Sequence, residues 1–220
     1  MNPVDQAITS RRSVRAFTAE PVAPETVEHI LAVASRAPSG TNMQPWKVYV
    51  ATGDLLVAVS EAALAEHDAL RFKQDYKYYP DRFFEPYRTR RKTVGVGLYE
   101  LLGIEKGDAI AMHRQHGRNF RFFDAPVGLV FTLDRRMEIG SWLDLGMFMQ
   151  NVMIAARGRG LHTCPQAAFA GVHASLRPVL GIPDGEIVVC GMALGHADED
   201  AVENGLKTER AELDEWVVWA

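Results

Sequence analysis

Cysteine is scarce in this 220-residue chain: Cys164 and Cys190 are the only two, and they form no C-x-x-C pair. That scarcity argues against a disulfide framework or a thiolate zinc site and leads us to expect a reducing compartment, the cytoplasm. Positive charge is not in excess either. With 24 Lys and Arg against 28 Asp and Glu, the formal net charge is −4, which excludes a general nucleic-acid binder. No apolar run approaches the roughly 20 residues needed to span a bilayer, and residues 1–10 hold no stretch of signal-peptide character, so no membrane partner is expected. Signatures of protein nucleophiles are missing as well: there is no G-x-S-x-G, H-E-x-x-H or P-loop. Gly95-Val96-Gly97 lacks the third glycine and the leading strand of a dinucleotide fingerprint. His113 and His116 share a helical face, but no neighbouring carboxylate or cysteine completes a ligand set. They read as surface histidines, and no metal site is expected.

What is present is a globular composition, 47% hydrophobic, enough for a sizeable core in one domain spanning 1–220. No repeat or Pro/Gly/Ser linker divides it. Helices are expected at 3–9 and 24–36, the second from the spacing of Val27, Ile30, Leu31 and Ala34 with Pro24 in the tolerated first turn. A strand over 47–51, a helix capped by Thr52 and running to about 70, and an aromatic irregular stretch over 71–86 follow. Further helices are expected near 88–102 and 107–118, 141–157 and 171–180, with strands at 127–133, 162–164 and 187–194. Unequal helical stretches between strands favour an α+β sandwich over a regular βαβ array. The 141–157 helix is apolar nearly all round, which implies cover from a partner subunit. Residues 200–220 form a polar arm ending in Trp216-Val217-Val218-Trp219.

Four segments carry chemistry. Arg11-Arg12-Ser13-Val14-Arg15 concentrates three guanidiniums and a hydroxyl, the donors a phosphate monoester needs, and its alternation lets Arg11, Ser13 and Arg15 face one anion while Val14 faces the core. Taken alone, so short a basic motif reads more often as a solvated turn. Pro38-Ser39-Gly40-Thr41-Asn42-Met43-Gln44-Pro45-Trp46 offers small and polar groups, with Gly40 admitting close backbone approach; a polar loop with Trp46 in the core is the plain alternative. Asn119-Phe120-Arg121-Phe122-Phe123-Asp124 leads into a strand, Arg121 being equally readable as a charged strand edge. Thr163-Cys164-Pro165-Gln166-Ala167-Ala168-Phe169 includes Cys164, whose plainest reading is a small buried residue.

The first two segments together resemble the nitroreductase family of flavin mononucleotide (FMN) enzymes. The resemblance is strong over 7–51, good over 119–169 and moderate over 185–219. It implies a three-layer α-β-α sandwich with a mixed, mainly antiparallel sheet and an intertwined homodimer. It also implies that Arg11, Arg12, Ser13 and Arg15 hold the ribityl phosphate, closed over by a C-terminal cation, Arg210 in preference to Lys207. Pro38, Ser39, Gly40 and Asn42 become flavin contacts reached across the dimer. Asn119 becomes the amide at the pyrimidine edge, with Arg121 or Arg15 as the cation near N1 and O2. Pro165, Gln166, Ala167 and Ala168 cross the ring, one alanine N-H facing N5; many relatives carry Glu-Gly where this chain has Ala167-Ala168. The stretch 66–118 becomes a variable lid whose Tyr76–Pro80, Glu85–Tyr87 and Arg90-Arg91 look like those of nitrobenzoate-type members, with Arg90 and Arg91 as substrate contacts. The implied activity is ping-pong reduction of nitroaromatics or quinones by NADH or NADPH, the flavin and no protein group carrying the chemistry. Other reductases on the same scaffold, such as ene-reductases and dehalogenases, and a non-catalytic flavin-binding module are the alternatives.

Overall fold

A computed structural model describes residues 2–220. Helix α1 (Pro3–Ser10) starts where the Asn2 side chain accepts the Asp5 backbone N-H at 2.9 Å, with Pro3 in the first turn. Then come α2 (Pro24–Ala34), β1 (Lys47–Thr52), α3 (Gly53–Asp68), α4 (Tyr87–Leu101), α5 (Ala109–Gly117), β2 (Val127–Asp134), α6 (Ile139–Arg157), β3 (His162–Gln166), α7 (His173–Leu180) and β4 (Glu186–Gly195). Each expected element is found within a few residues of its expected ends. Thr52 sits at the N-cap of α3, but its side chain makes no capping bond.

The four strands pair in the order β1-β2-β4-β3, every neighbour antiparallel. The one parallel contact among the described residues is an isolated bridge from Ser13 to Thr163, so the sheet within one chain is antiparallel where a mixed one was expected. Alternation along β2 sends Val127, Leu129, Phe131 and Leu133 to one face, where they pack with Val27 and Ile30 of α2 and Leu145, Phe148 and Val152 of α6. Val130 faces the other side, with Val59 and Ala63 of α3, Leu176 of α7 and the phenylalanines 120, 122, 123 and 169. Two apolar cores, one on each face of a single sheet, make the three layers. Pro165 is tolerated because β3 is an edge strand.

Helix α6 buries Leu145, Phe148, Val152, Ala155 and Ala156 but leaves Leu143 69% exposed. Trp216 and Trp219 of the C-terminal arm are also exposed. The 71–86 stretch is irregular, yet its base is tied down: Asp75 meets Arg135 at 2.7 Å and Arg177 at 3.3 Å, and the Tyr76 hydroxyl donates to the Val189 carbonyl at 2.6 Å. Among the described residues, no helix is long and apolar enough to cross a membrane.

Candidate functional site

The Arg11–Arg15 segment runs beside β3, joined by the Ser13–Thr163 bridge and by the Val14 N-H donating to the Thr163 carbonyl at 3.2 Å. Val14 is wholly buried, which turns its alternating neighbours outward together. Asn204, whose role was not apparent from the sequence, fixes this backbone. Its Oδ1 accepts the Arg15 N-H at 2.7 Å, while its Nδ2 donates to the carbonyls of Ala16 and Asp198, each at 2.8 Å.

The Arg11 guanidinium is held below its ordinary pKa, first by partial burial and then by the like charge of Arg210 brought close to it. No carboxylate pairs with either arginine among the described residues. Arg210 instead donates to the Thr208 hydroxyl at 3.0 Å and the Glu209 carbonyl at 2.9 Å. Ser13 reaches the Cys164 thiol, which burial pushes up to about 11 against the opposing pull of Arg15, Ser13 and Arg11. That thiol is neutral at pH 7 and offsets none of the positive charge. Two guanidiniums that feel each other's charge without a carboxylate partner, together with the Ser13 hydroxyl, suit a phosphate dianion.

Beside this basic segment lie two cavities that share Tyr79, His116, Asn119 and Pro165. The larger, about 1050 Å³, is lined by Arg15, Cys164 and Phe123 on the sheet side and by Arg91, Leu98 and Tyr99 of α4 on the other. The smaller, about 390 Å³, is lined by Gln166, Ala167, Ala168, Phe72 and Tyr78. Gln166 Nε2 donates to the Asn119 carbonyl at 2.6 Å, and its Oε1 is buried without a partner. The Asn119 side chain donates to the His116 carbonyl at 2.9 Å. The neutral backbone of 165–168, a buried amide and the cation Arg15 of the neighbouring basic segment fit a flat heteroaromatic ring with a phosphate tail.

The structure separates the other candidates. Arg12 pairs with Glu199 at 2.5 Å, away from Arg11, Ser13 and Arg15, because successive residues of an extended segment face opposite sides. Arg121 is 61% exposed and paired with Asp124, and of the two candidates only Arg15 lines the larger cavity. Lys207 and Arg210 are both exposed, and of the two it is Arg210 whose charge acts on Arg11. Arg90 binds Glu215 of the arm at 2.8 Å. Arg91 lies 4.7 Å from the Phe83 ring centroid, on the cavity wall.

Pro38, Ser39, Gly40 and Asn42 lie elsewhere in this chain, on the α6 layer. The Gly40 N-H faces the Asp144 carboxylate at 3.3 Å, and Trp46 stacks on Phe148 at 4.8 Å. No residue of this loop lines either cavity. Thr41, Asn42 and Gln44 nonetheless hold positive φ angles of 48°, 61° and 51°, a run of strained backbone of the kind found at ligand clamps.

The sequence pattern of the Nitroreductase family matches residues 8–196. This chain belongs to the nitroreductase family. It is 42% identical over 218 residues to the chloronitrobenzene nitroreductase of Comamonas testosteroni, covering 98% of this chain and 96% of that protein. The 4-nitrobenzoate reductase of Pseudomonas putida is 41% identical over 207 residues, 94% of this chain and 90% of its own. In three dimensions the chain is similar to the FMN-dependent nitroreductase NfnB from Mycobacterium smegmatis in complex with NADPH. That match has a TM-score of 0.95 at 30% identity, covering 99% of this chain and 98% of that one. The nitroreductase fold is therefore shared over its whole length.

Proposed function

We propose that this nitroreductase-family protein is an FMN-dependent oxidoreductase that uses NADH or NADPH to reduce nitroaromatic compounds, working as a homodimer. The observation that carries the reading is the uncompensated pair Arg11 and Arg210, with Ser13 on the Cys164 thiol, behind a cavity that Arg15, Cys164 and Pro165 line and next to the one that 165–168 line. Nitroreductases that match over nearly the full chain support it, including solved relatives described as FMN-dependent and in complex with NADPH. When bound, FMN supplies hydride acceptance and donation, the chemistry that no side chain here performs.

The chain's own part is to bind, orient and tune. Arg11, Ser13 and Arg210 take the phosphate and so fix the long axis of the cofactor. The N-H groups of Ala167 and Ala168 offer hydrogen-bond donors that cannot compete as acids or nucleophiles. Arg15 places a fixed positive charge at the cavity, where it favours a ring that has gained electrons. Asn119 and Gln166 present amides to the ring edge. Tyr79, Leu98 and Tyr99 exclude water from the substrate side. Arg91 faces the same space with no carboxylate partner among the described residues, and we assign it to the negative end of the acceptor, its nitro or carboxylate oxygens.

A single chain leaves this site open. The exposed Leu143 face of α6, the exposed Trp216 and Trp219, and the 38–44 loop, with positive φ at Thr41, Asn42 and Gln44 and no part in the two cavities described, are the surfaces that a second subunit would cover and complete. The decisive experiment is optical. Purified protein should be yellow, lose its colour anaerobically on adding NADH or NADPH, and regain it on adding nitrobenzene or 4-nitrobenzoate. A colourless protein that binds no added FMN would refute the cofactor, and a yellow one that no reduced nicotinamide bleaches would refute the enzyme.

A further inference from the structure

Histidines 113 and 116 are not solitary surface residues, because the fold places His67 of α3 beneath them. His67 is only 2% exposed, stacks on His113 with ring centroids 4.0 Å apart, and lies 5.1 Å from His116. Its next neighbour, Asp68, brings Oδ1 to 3.1 Å from His113 Nε2. One ligand atom from each of His67, Asp68 and His113 lies within 4.8 Å of the other two. A carboxylate and two imidazoles at this spacing are the donor set that zinc and neighbouring divalent ions take.

The tautomer of His67 is suited to that role. Its Nε2 stands 3.1 Å from the His113 carbonyl oxygen, which can only accept, so in the neutral ring Nε2 carries the proton and Nδ1 the lone pair. Nδ1 is buried without a hydrogen-bond partner. Metal-binding histidines characteristically donate their second ring nitrogen to a carbonyl or carboxylate in this way, which fixes the ring and raises its basicity. A buried lone pair with no partner otherwise carries a desolvation cost with nothing to offset it. His113 is partly exposed, with Asp68 as its side-chain hydrogen-bond partner, so its ring can turn toward an ion that His67 cannot move to meet.

We propose that His67, Asp68 and His113 form a site for one divalent transition-metal ion of the zinc class, with water completing the coordination. The ion ties the end of α3 to α5 directly behind the cavity wall, since His67 also packs edge-on to Phe72 and at a tilt to His116, both of which line the smaller cavity. It takes no part in the transfer of electrons. Its effect is to stiffen that wall, and the site is independent of the assignment of FMN.

Isothermal titration of the purified, flavin-loaded protein with zinc chloride tests this. The expected result is one zinc per chain. Asp68→Asn and His113→Gln are surface changes that spare the core, and each should weaken binding by more than the roughly 10–100-fold that loss of an outer-shell partner costs. His29→Gln, at an exposed histidine on α2, should bind like the native protein. Cobalt(II) gives a second readout: its visible d–d difference spectrum should appear in the native protein and be absent in His113→Gln. No saturable uptake by the native protein would overturn the proposal. So would uptake that survives unchanged in both Asp68→Asn and His113→Gln.

Discussion

The ring of Phe169 occupies the space that a side chain on Gly191 would need: a β-carbon built there stands 2.3 Å from Phe169 Cδ2. Gly191 also pairs with Gln166 across β3 and β4, and Phe169 stacks on Phe122 at 4.5 Å. The missing side chain thus seats the 165–169 segment down onto the sheet. Gly191→Ala should lower stability by about 1–3 kcal/mol through overpacking and weaken FMN binding by lifting the 166–168 backbone. Thermal melting and flavin titration read the two effects, and an unchanged melting temperature would contradict the packing argument.

In the proposed site, phosphate recognition rests on Arg11. Charge-assisted hydrogen bonds contribute about 1.5–3 kcal/mol each, so Arg11→Ala should weaken FMN binding at least tenfold. Arg12→Ala, which breaks an exposed pair with Glu199, should leave the affinity near the native value. Flavin fluorescence quenching distinguishes the two, and equal losses would return Arg12 to the phosphate site.

Assembly is expected to govern cofactor retention. Sedimentation should show a dimer carrying two flavins, and dilution below the dissociation range should release flavin as the dimer separates. A stable monomer loaded with flavin would rule this out.

Substrate charge should depend on Arg91 alone of the three arginines near the variable region. Arg90 is neutralised by Glu215 and Arg121 by Asp124, whereas Arg91 lines the cavity. Arg91→Ala should reduce kcat/KM for 4-nitrobenzoate more than for nitrobenzene, while Arg90→Ala and Arg121→Ala should lower both alike or neither. Parallel losses on both substrates in Arg91→Ala would disprove the selectivity.

Stability should fall on mild acidification, because burial first, and then Arg157 and Arg12, hold the His162 imidazole down to about 4. Its unfolded counterpart protonates near 6.5. Between those values the unfolded chain binds a proton that the folded chain does not, so this contribution is complete above about 6.5 and is lost as pH drops toward 4. His162→Gln should flatten the pH dependence of the urea midpoint across that window. A native midpoint constant from 6.5 to 4 would refute it.

Local patterning made most of the layers legible. The apolar spacing of α2, the unbroken hydrophobic run of β4 and the alternation around Val14 each encode burial within one element, and burial is what the elements then satisfy. Arg11, Ser13 and Arg15 stood out for the same reason, since period-two geometry sends every second side chain to one side. What escaped the sequence lies in contacts between distant elements. His67 meets His113 across 46 positions, and Asn204 reaches Arg15 across 189. The turning of Arg12 to Glu199 and the cavity positions of Tyr79 and Phe72 likewise depend on how the irregular 71–86 stretch and the tail are laid over the sheet, which no periodicity records.

Not one residue of α4 is buried, although Leu98 and Tyr99 form a wall of the larger cavity. The helix is held from outside, by Leu206 packed over Gly97 and by the ion pair of Arg90 with Glu215. Substitutions at exposed positions typically change stability by no more than about 0.5 kcal/mol. This wall can therefore be substituted at little cost to the fold, so that changes along α4 would be read in the shape of the cavity more than in the melting temperature.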